Sequence, residues 1–247
     1  NLIGVVIVTF LLTRALPGDP AAFFAGNAAS PEAVEQIREK LGLNKSLGQQ
    51  FFLYIGQLAQ GQLGDSLSTG QPVLTELRQR LPASLELTLC ALVFALGVSM
   101  PLGVAAATRP GSWIDHLCRL VATAGVSLPT FFTGLLLSYV FYFLLGWAPS
   151  PLGRLDPGFS PPPAITNMYL IDSLLAGDLE LFGAAAAQLV LPAITMGLFV
   201  LAPLARMTRA SMLTVLSSDF IRTARASGLP PSTVLLRYGL RNALLPI

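Results

Sequence analysis

Long apolar stretches alternate with polar segments along the whole chain. Residues 1–13, 87–107, 120–153 and 181–205 carry no charge and are rich in Leu, Val, Ala and Phe. A helix needs about 20 apolar residues to cross the ~30 Å hydrocarbon core of a bilayer. Residues 87–107 and 181–205 therefore each predict one span, and the longer 120–153 stretch predicts a span followed by a turn near 147–149.

The segments between these stretches complete the predicted organisation. Residues 1–16 form a first span that is too short alone, and 17–82 form a polar segment with small amphipathic helices. In that segment Ser30 and Pro31 mark a helix start and Gly42 its end, with a second helix ending before Gly61. A core at 83–247 contains spans at about 83–107, 119–147 and 182–205, a loop at 206–241 and the start of a fifth span at 242–247.

Both ends of the sequence are expected to be incomplete. The first residue is Asn1 rather than Met, and the chain stops at Ile247 as a new apolar segment begins. A cleaved signal peptide is the competing interpretation of the first stretch, but it shows no small-residue cleavage site.

Composition agrees with this pattern. The chain is 53% hydrophobic and 11% charged, whereas soluble domains carry about 25% charged residues. The sequence therefore predicts an all-α, polytopic transmembrane helical bundle with small extramembrane helices. The net charge of +2 is too small to indicate a nucleic-acid partner. Cys90 and Cys118 lie in or beside apolar stretches, and we interpret both as small buried residues.

The distribution of charge predicts the orientation in the membrane. The 206–241 loop carries six arginines against one acid, whereas 17–82 carries five basic and six acidic residues and 147–180 one arginine against four acids. The positive-inside rule places 206–241 in the cytosol and the other two segments outside. The short 108–119 link falls inside by alternation.

Candidate chemistry within the chain is sparse. The one histidine, His116, lies beside Asp115 and Arg119 and is interpreted as a solvated residue at the membrane edge. There is no G-x-S-x-G sequence and no complete Walker A motif. A carboxylate or lysine at mid-depth would cost roughly 2.5–3.5 kcal/mol on insertion scales, and the predicted spans contain none. This argues against a proton-coupled carrier, so the driving energy is expected to come from another chain.

The basic loop contains a predicted amphipathic helix at 213–226. Leu213, Leu216, Phe220 and Ala224 recur at three- to four-residue intervals, and Gly228 with the two prolines after Leu229 ends the pattern. Such a helix between two spans is suited to docking into a soluble partner. An ordinary basic loop that only sets orientation is the alternative.

Two runs resemble the cytoplasmic signature of permease subunits of binding-protein-dependent ABC importers, specifically the peptide/nickel branch. They are DFIRTARASG from Asp219 and VLLRYGLRNALLP from Val234. The general signature is Glu-Ala-Ala, three residues, Gly, eleven residues, then Leu-Pro. Here Arg222-Thr-Ala occupies the Glu-Ala-Ala positions, Gly228 matches the glycine, and Leu240-Arg stands in place of Leu-Pro. The segments RALPGDP, LGL, GD and RMTRASM, from Arg14, Leu41, Gly64 and Arg206, agree with the same branch.

The resemblance implies a fold of the type I importer kind and a multi-subunit complex. Its expected partners are a second related permease, two ATP-binding subunits that hold ATP and Mg, and a periplasmic substrate-binding protein. The complex is expected in a bacterial inner membrane. No cofactor is expected in this chain. The implied solutes are di- or oligopeptides first, then nickel, glutathione and opine- or sugar-like compounds, and the residues do not choose among them.

The resemblance also implies a set of residues that dock on the ATPase. Phe220 is the expected aromatic contact, Asp219, Arg222 and Arg225 would set the register through charge pairs, and Gly228 would allow the turn. The full predicted set is Leu216, Ser218, Asp219, Phe220, Arg222, Thr223, Ala224, Arg225 and Gly228. Predicted substrate-pathway residues are Phe131, Phe132, Tyr139 and Tyr142, although helix packing explains these aromatics equally well.

Other functions predict other features. An ion-coupled secondary transporter, the main alternative, predicts transport without an ATPase and internal repeats. A membrane-embedded enzyme needs polar residues grouped at depth, and an ABC exporter half would usually lack an outer segment such as 17–82. The proline-rich 149–163 stretch is either a shaped external loop or a passive connector.

Overall fold

The computed structural model describes residues 2–15, 20–25, 30–40, 42–66 and 69–245. Within these ranges the regular elements are helices, and the only β-type pairing is an isolated bridge between Asp65 and Pro72. The predicted all-α fold is therefore confirmed. The predicted end of the first helix at 17–19, the Leu41 position and the last two residues of the expected fifth span lie outside the described ranges. The chain divides into two compact units, Asn1–Arg80 and Leu81–Ile247.

The first unit contains four helices in its described residues, of which the first covers most of the expected first span and the third and fourth are the predicted small helices. The four are α1 (Leu2–Ala15), α2 (Pro20–Ala25), α3 (Pro31–Lys40) and α4 (Leu47–Ala59). Helix α3 begins as expected, with the Ala33 N–H donating to Ser30 Oγ at 3.3 Å. The buried Phe10 ring of α1 lies 5.2 Å from Phe51 and 5.7 Å from Tyr54 of α4, measured between ring centroids. Aromatic packing therefore joins α1 to α4.

The second unit is a helical bundle, entered from a helix that begins in the first unit. Its elements are α5 (Val73–Thr108), α6 (Trp113–Ser127), α7 (Thr130–Leu137) with a π-helical continuation (Ser138–Leu144), α8 (Tyr169–Leu175), α9 (Leu179–Leu216), α10 (Asp219–Ala226), α11 (Pro231–Thr233) with a π-helical continuation (Val234–Leu240), and α12 (Arg241–Ala243).

In the described residues, two helices are long and apolar enough to cross a membrane, namely α5 and α9. Both extend beyond the predicted spans, since α5 begins at Val73 rather than near residue 83 and α9 continues to Leu216 rather than ending at 205. Each contains two prolines, which membrane helices tolerate where neighbouring groups satisfy the freed carbonyls. The predicted spans therefore mark the apolar middle of longer helices.

The predicted span at 119–147 differs most from the structure. Helix α6 ends at Ser127 and α7 starts at Thr130, so the segment is divided at Leu128 and Pro129. A residue that precedes proline is disfavoured in the α conformation, which explains the break. The predicted turn near 147–149 is present, with the Trp147 N–H donating to the Phe141 carbonyl at 2.8 Å.

Helix α9 packs closely against α5 and α6 because glycines stand at the crossing points. A Cβ atom on Gly103 would lie 2.7 Å from Thr208 Cβ, and one on Gly197 would lie 2.9 Å from the Ala91 carbonyl oxygen. A Cβ on Gly125 of α6 would lie 2.9 Å from Ala202 Cβ. Small residues at membrane helix interfaces allow this approach, and dispersion then stabilises the bundle.

The buried cluster beside these crossings is made of small and aliphatic side chains. Its members come from α5, α6 and α9 and are Ala95, Ala106, Cys118, Leu201 and Ala205. The predicted burial of the cysteines holds for Cys118, whereas Cys90 is only half-buried. The core therefore lies along the central stretch of α9.

Replacement of Gly103 by alanine tests this close packing. We expect Gly103→Ala to destabilise the protein by about 1–3 kcal/mol because the added methyl group overpacks the contact with Thr208. Gly97→Ala on the same helix is the matched control, because a Cβ atom on Gly97 would have no neighbouring atom within 4 Å. The thermal midpoint in detergent measures the difference. Equal midpoints for the two variants would contradict close packing at Gly103.

Candidate functional site

A short helical hairpin follows the long helix α9. Helix α9 ends at Leu216, and Ser218 stands immediately before α10 with its hydroxyl donating to the Val215 carbonyl at 2.5 Å. The predicted single helix at 213–226 is therefore wrong, because the chain turns at Ser217 and Ser218. Serine hydroxyls that bond the preceding turn compete with helix continuation, which favours this break.

Helix α10 has one buried and one exposed face. Ile221 and Ala224 are buried in a cluster with Val234, and Val215 and Leu229 pack against this cluster. Burial of these apolar side chains holds α10 against the returning chain.

The other side chains of α10 are exposed and include an aromatic ring and charged groups. Phe220 is 44% exposed, and Asp219 and Arg222 are exposed, with their charged groups 3.4 Å apart. An exposed aromatic ring on a short helix that also carries exposed charges is typical of a protein-docking surface.

Gly228 ends α10 as predicted. Its φ of +73° lies in the left-handed region that favours glycine, and its N–H donates to the Arg225 carbonyl at 3.0 Å. Pro230 and Pro231 follow, and the chain then returns through α11 and its π-helical continuation.

The predicted docking residues divide between the two faces. Asp219, Phe220, Arg222, Thr223 and Arg225 are exposed and share one short helix. In contrast, Ala224 is buried, and Leu216 and Ser218 are half-buried at the turn before α10. The buried and half-buried members pack inside the hairpin, and the exposed members form its outer surface.

Asp115 forms the centre of an ion cluster that joins the start of α6 to α9. Its carboxylate accepts hydrogen bonds from Arg209 Nε at 2.5 Å, from Arg209 NH2 at 3.0 Å and from Arg119 NH2 at 3.2 Å. The Gly111 N–H donates to the same carboxylate at 3.0 Å. These four residues are called the Asp115 cluster below. The bidentate geometry with Arg209 fixes both side chains.

The electrostatics of the Asp115 cluster follow from these bonds. The hydrogen bonds from Arg209 and from the Gly111 N–H hold the pKa of the Asp115 carboxyl well below its ordinary range, although burial alone would raise it. Asp115 is 1% exposed. The carboxylate is therefore charged, buried and paired, which is the arrangement that a buried charge requires.

Sequence reasoning missed the Asp115 cluster. Along the chain the arginines indicate only orientation, and Asp115 is notable only as a neighbour of the exposed His116. Arg209 lies 94 residues from its partner Asp115. The local sequence contains no signal for a pair of that separation.

A second cluster forms around Glu86 of α5. Glu86 is buried, and its carboxylate accepts from Arg154 NH2 at 2.8 Å and from the Leu170 N–H at 2.6 Å. Arg154 also donates to the Asn167 carbonyl at 3.0 Å, and its guanidinium carbon lies 3.6 Å from the centre of the Tyr169 ring. These residues, called the Glu86 cluster below, hold the long 145–168 loop against α5.

Asp172 shapes the same loop from α8. Its carboxylate accepts hydrogen bonds from the N–H groups of Ile165, Thr166 and Asn167 and from the Thr166 hydroxyl. Burial alone would raise the pKa of Asp172, but these hydrogen bonds lower it. The backbone at 165–167, just after the proline-rich stretch, is therefore held in a defined conformation.

The predicted pathway aromatics do not gather in one place. A cavity of about 440 Å³ lies between α7, its π-helical continuation, α9 and the loop at 149–153, and Phe131 lines it. Phe132, Tyr139 and Tyr142 are not among its lining residues. Instead, Tyr139 stacks on Phe143, with the ring centroids 5.5 Å apart. Their role in a pathway stays a prediction.

Family comparisons place the chain among transport components. Residues 99–247 match the family model "Binding-protein-dependent transport system inner membrane component". Residues 1–88 match the model of the N-terminal part of such membrane components. Together the two models cover nearly the whole chain, including α9, α10 and most of α5.

The names of individual relatives agree with this family. The chain is 46% identical over 243 residues to the probable D,D-dipeptide transport system permease protein DdpB of Escherichia coli K12, covering 98% of this chain and 71% of the relative. It is 39% identical over 246 residues to the dipeptide permease DppB of Alkalihalophilus pseudofirmus, covering 100% and 73%. It is 37% identical over 244 residues to the glutathione permease GsiC of Escherichia coli O6:H1, covering 98% and 70%.

The Asp115 cluster makes stability depend on pH in a defined direction. Because the folded pKa of Asp115 lies below the unfolded value of about 3.9, its stabilising contribution is fully present above that value and is lost as pH falls through the folded pKa. We therefore expect Asp115→Asn to lower the thermal midpoint at pH 7 and the difference from the wild type to shrink below about pH 4. Thermal unfolding in detergent at several pH values measures this.

Asp219→Asn is the matched control, because the Asp219 side chain is 96% exposed and pairs with Arg222 of its own helix. A midpoint that falls equally in both variants, or a difference that grows in acid, would contradict the role assigned to Asp115.

Proposed function

Because the chain belongs to the family of binding-protein-dependent transport system inner membrane components, we propose that it is the permease subunit of an ATP-driven importer of di- or oligopeptides. The observation that carries the peptide assignment is the identity of 46% and 39%, over 98% and 100% of the chain, to two proteins named as dipeptide permeases. Glutathione, the solute in the third relative's name, is itself a tripeptide.

The exposed face of α10 is the proposed docking surface for a separate ATPase subunit. Phe220 supplies an apolar contact, while the exposed Asp219, Arg222 and Arg225 of the same helix add charges that set the orientation of a partner. In the proposed mechanism ATP and Mg bind to two such subunits, and their approach displaces α10. This chain supplies the docked surface and the spans that move with it.

Two features support transmission from α10 into the membrane. The buried Ile221 cluster holds α10 against the chain that follows it. The Asp115 cluster ties α9, about two turns before its end, to the first turn of α6. Moving the equilibrium between two conformations of the spans from 1:99 to 99:1 needs about 5.5 kcal/mol of differential interaction. Rigid packing on both sides of the hairpin is what allows that energy to reach the spans.

The charge distribution supports the orientation of the proposed complex. The arginine-rich 206–241 segment would face the cytosol, and the acidic 147–180 segment would face outward. The Glu86 cluster and Asp172 give the outer segment an ordered surface, which suits the delivery of solute by a periplasmic binding protein. A second related permease would complete the pathway.

Paired substitutions on α10 test the docking surface. We expect Phe220→Ala to weaken binding to the ATPase subunit by about 2 kcal/mol or more, roughly 30-fold, and to abolish peptide-stimulated ATP hydrolysis. Because Phe220 is half exposed, the thermal midpoint of the subunit should change little. Co-purification, ATP hydrolysis and thermal unfolding provide the three measurements.

The neighbouring Ile221→Ala is the contrast variant. Ile221 is fully buried, so its truncation should destabilise the subunit by about 2–5 kcal/mol. Wild-type uptake and wild-type co-purification in Phe220→Ala would refute docking through this face, whatever the behaviour of Ile221→Ala.

A further inference from the structure

The cavity between α7 and α9 has the size of a small-ligand site. Its volume is about 440 Å³, within the range of roughly 300–1,000 Å³ typical of ligand pockets. Its walls come from α7, the adjoining π-helical turn and α9, and the 149–153 loop covers one side. Each of the lining residues within the described part of the chain is uncharged.

Gln188 is a lining residue of this cavity with a buried polar atom that lacks a partner in the described part of the chain. The residue lines the cavity wall from α9 and is only 8% exposed, and its Nε2 atom, which is itself buried, has no hydrogen-bond partner among the described residues. An unpaired buried amide group destabilises a protein, because it loses its hydrogen bonds to water without replacing them. A turn of the carboxamide toward the adjoining ligand-sized cavity would let this buried Nε2 donate to a group that comes from outside the chain, which would offset the cost.

Thr195 extends the polar character of the same wall. It lines the cavity about two helical turns after Gln188, and its hydroxyl donates to the Leu191 carbonyl at 2.8 Å. This bond occupies the hydroxyl proton and leaves the oxygen lone pairs as acceptors. The α9 wall therefore offers an amide whose Nε2 donates once it turns toward the cavity, together with a hydroxyl oxygen that accepts.

The covering loop is held at a defined position. Gly153 lines the cavity, and the next residue is Arg154, which Glu86, the Asn167 carbonyl and the Tyr169 ring hold in the Glu86 cluster. The cavity is therefore bounded by an ordered loop on that side.

We propose that this cavity is a peptide-binding subsite in which the carboxamide of Gln188 bonds to a peptide group of the transported molecule. The inference rests on the proposed peptide-import function. A peptide unit has one N–H donor and one C=O acceptor, which a carboxamide complements. The uncharged walls fit the peptide group and an apolar side chain, whereas the charged termini would lie outside the cavity, because an unpaired buried charge is unfavourable.

Gln188→Met tests the subsite in the full transport complex reconstituted in liposomes, with L-alanyl-L-alanine as the probe. Methionine keeps the length of the side chain and removes its hydrogen-bonding groups. We expect the KM for dialanine uptake to rise about three- to tenfold, as the loss of one hydrogen bond predicts. The thermal midpoint should not fall, because the replaced Nε2 has no partner within the described part of the protein.

Leu189→Met is the matched control, since it places the same side chain one residue further along α9, outside the lining of this cavity. Its KM should equal that of the wild type. An unchanged KM in Gln188→Met, or a midpoint that falls while KM stays constant, would overturn the subsite and leave the import function intact. A wild-type complex that neither takes up dialanine nor hydrolyses ATP in response to it would overturn both.

Cysteine protection locates the ligand independently of transport rate. Ala187 is exposed and lines the cavity, so Ala187→Cys, with Cys90 and Cys118 replaced by alanine, should react with a membrane-impermeant maleimide. Dialanine should slow the reaction and free alanine should not. Reaction that is blocked without peptide, by lipid or by the second permease, would assign the cavity to that occupant and contradict the proposal.

Discussion

The close contact between α9 and its neighbours α5 and α6 is the interaction on which the rest of the structure depends. Hydrocarbon gives little hydrophobic drive for helices to associate, so a membrane bundle relies on dispersion between surfaces that approach closely. Gly103, Gly125 and Gly197 remove the side chains that would prevent this approach. The 38 residues of α9 then act as one continuous element with the α10 hairpin at one end and the Gln188 cavity near the other.

Two buried carboxylates complement this packing at opposite ends of the described bundle. Glu86 joins α5 to the long loop through Arg154, and Asp115 joins α6 to α9 through Arg209. Both are paired with arginine and bonded to backbone N–H groups, which offsets the desolvation of a buried charge. Each pair lies beside an apolar stretch rather than within one, so the spans stay free of charge while their ends are held in register.

Much of the fold could be predicted because its signals are local. Apolar stretches indicate the middle of α5 and α9, Ser30 marks the start of α3, and Gly228 marks the end of α10. The wrong predictions concern where the helices break, which local sequence patterns do not determine. Prolines inside α5 and α9 leave the helices unbroken, whereas Pro129 separates α6 from α7. Neighbouring helices decide which prolines are tolerated.

The sequence by itself determined the helical class, the apolar spans, the basic loop with its aromatic residue, and the family, because each depends on composition or on residues close together in the chain. Only the tertiary structure decided that Glu86 meets Arg154, that Asp115 meets Arg209, and that Gln188 lines a cavity without a partner among the described residues. These relations join residues 68 and 94 positions apart in the two ion pairs, and separate segments of the chain around the cavity. Packing in three dimensions creates them, and no periodicity along the chain encodes them.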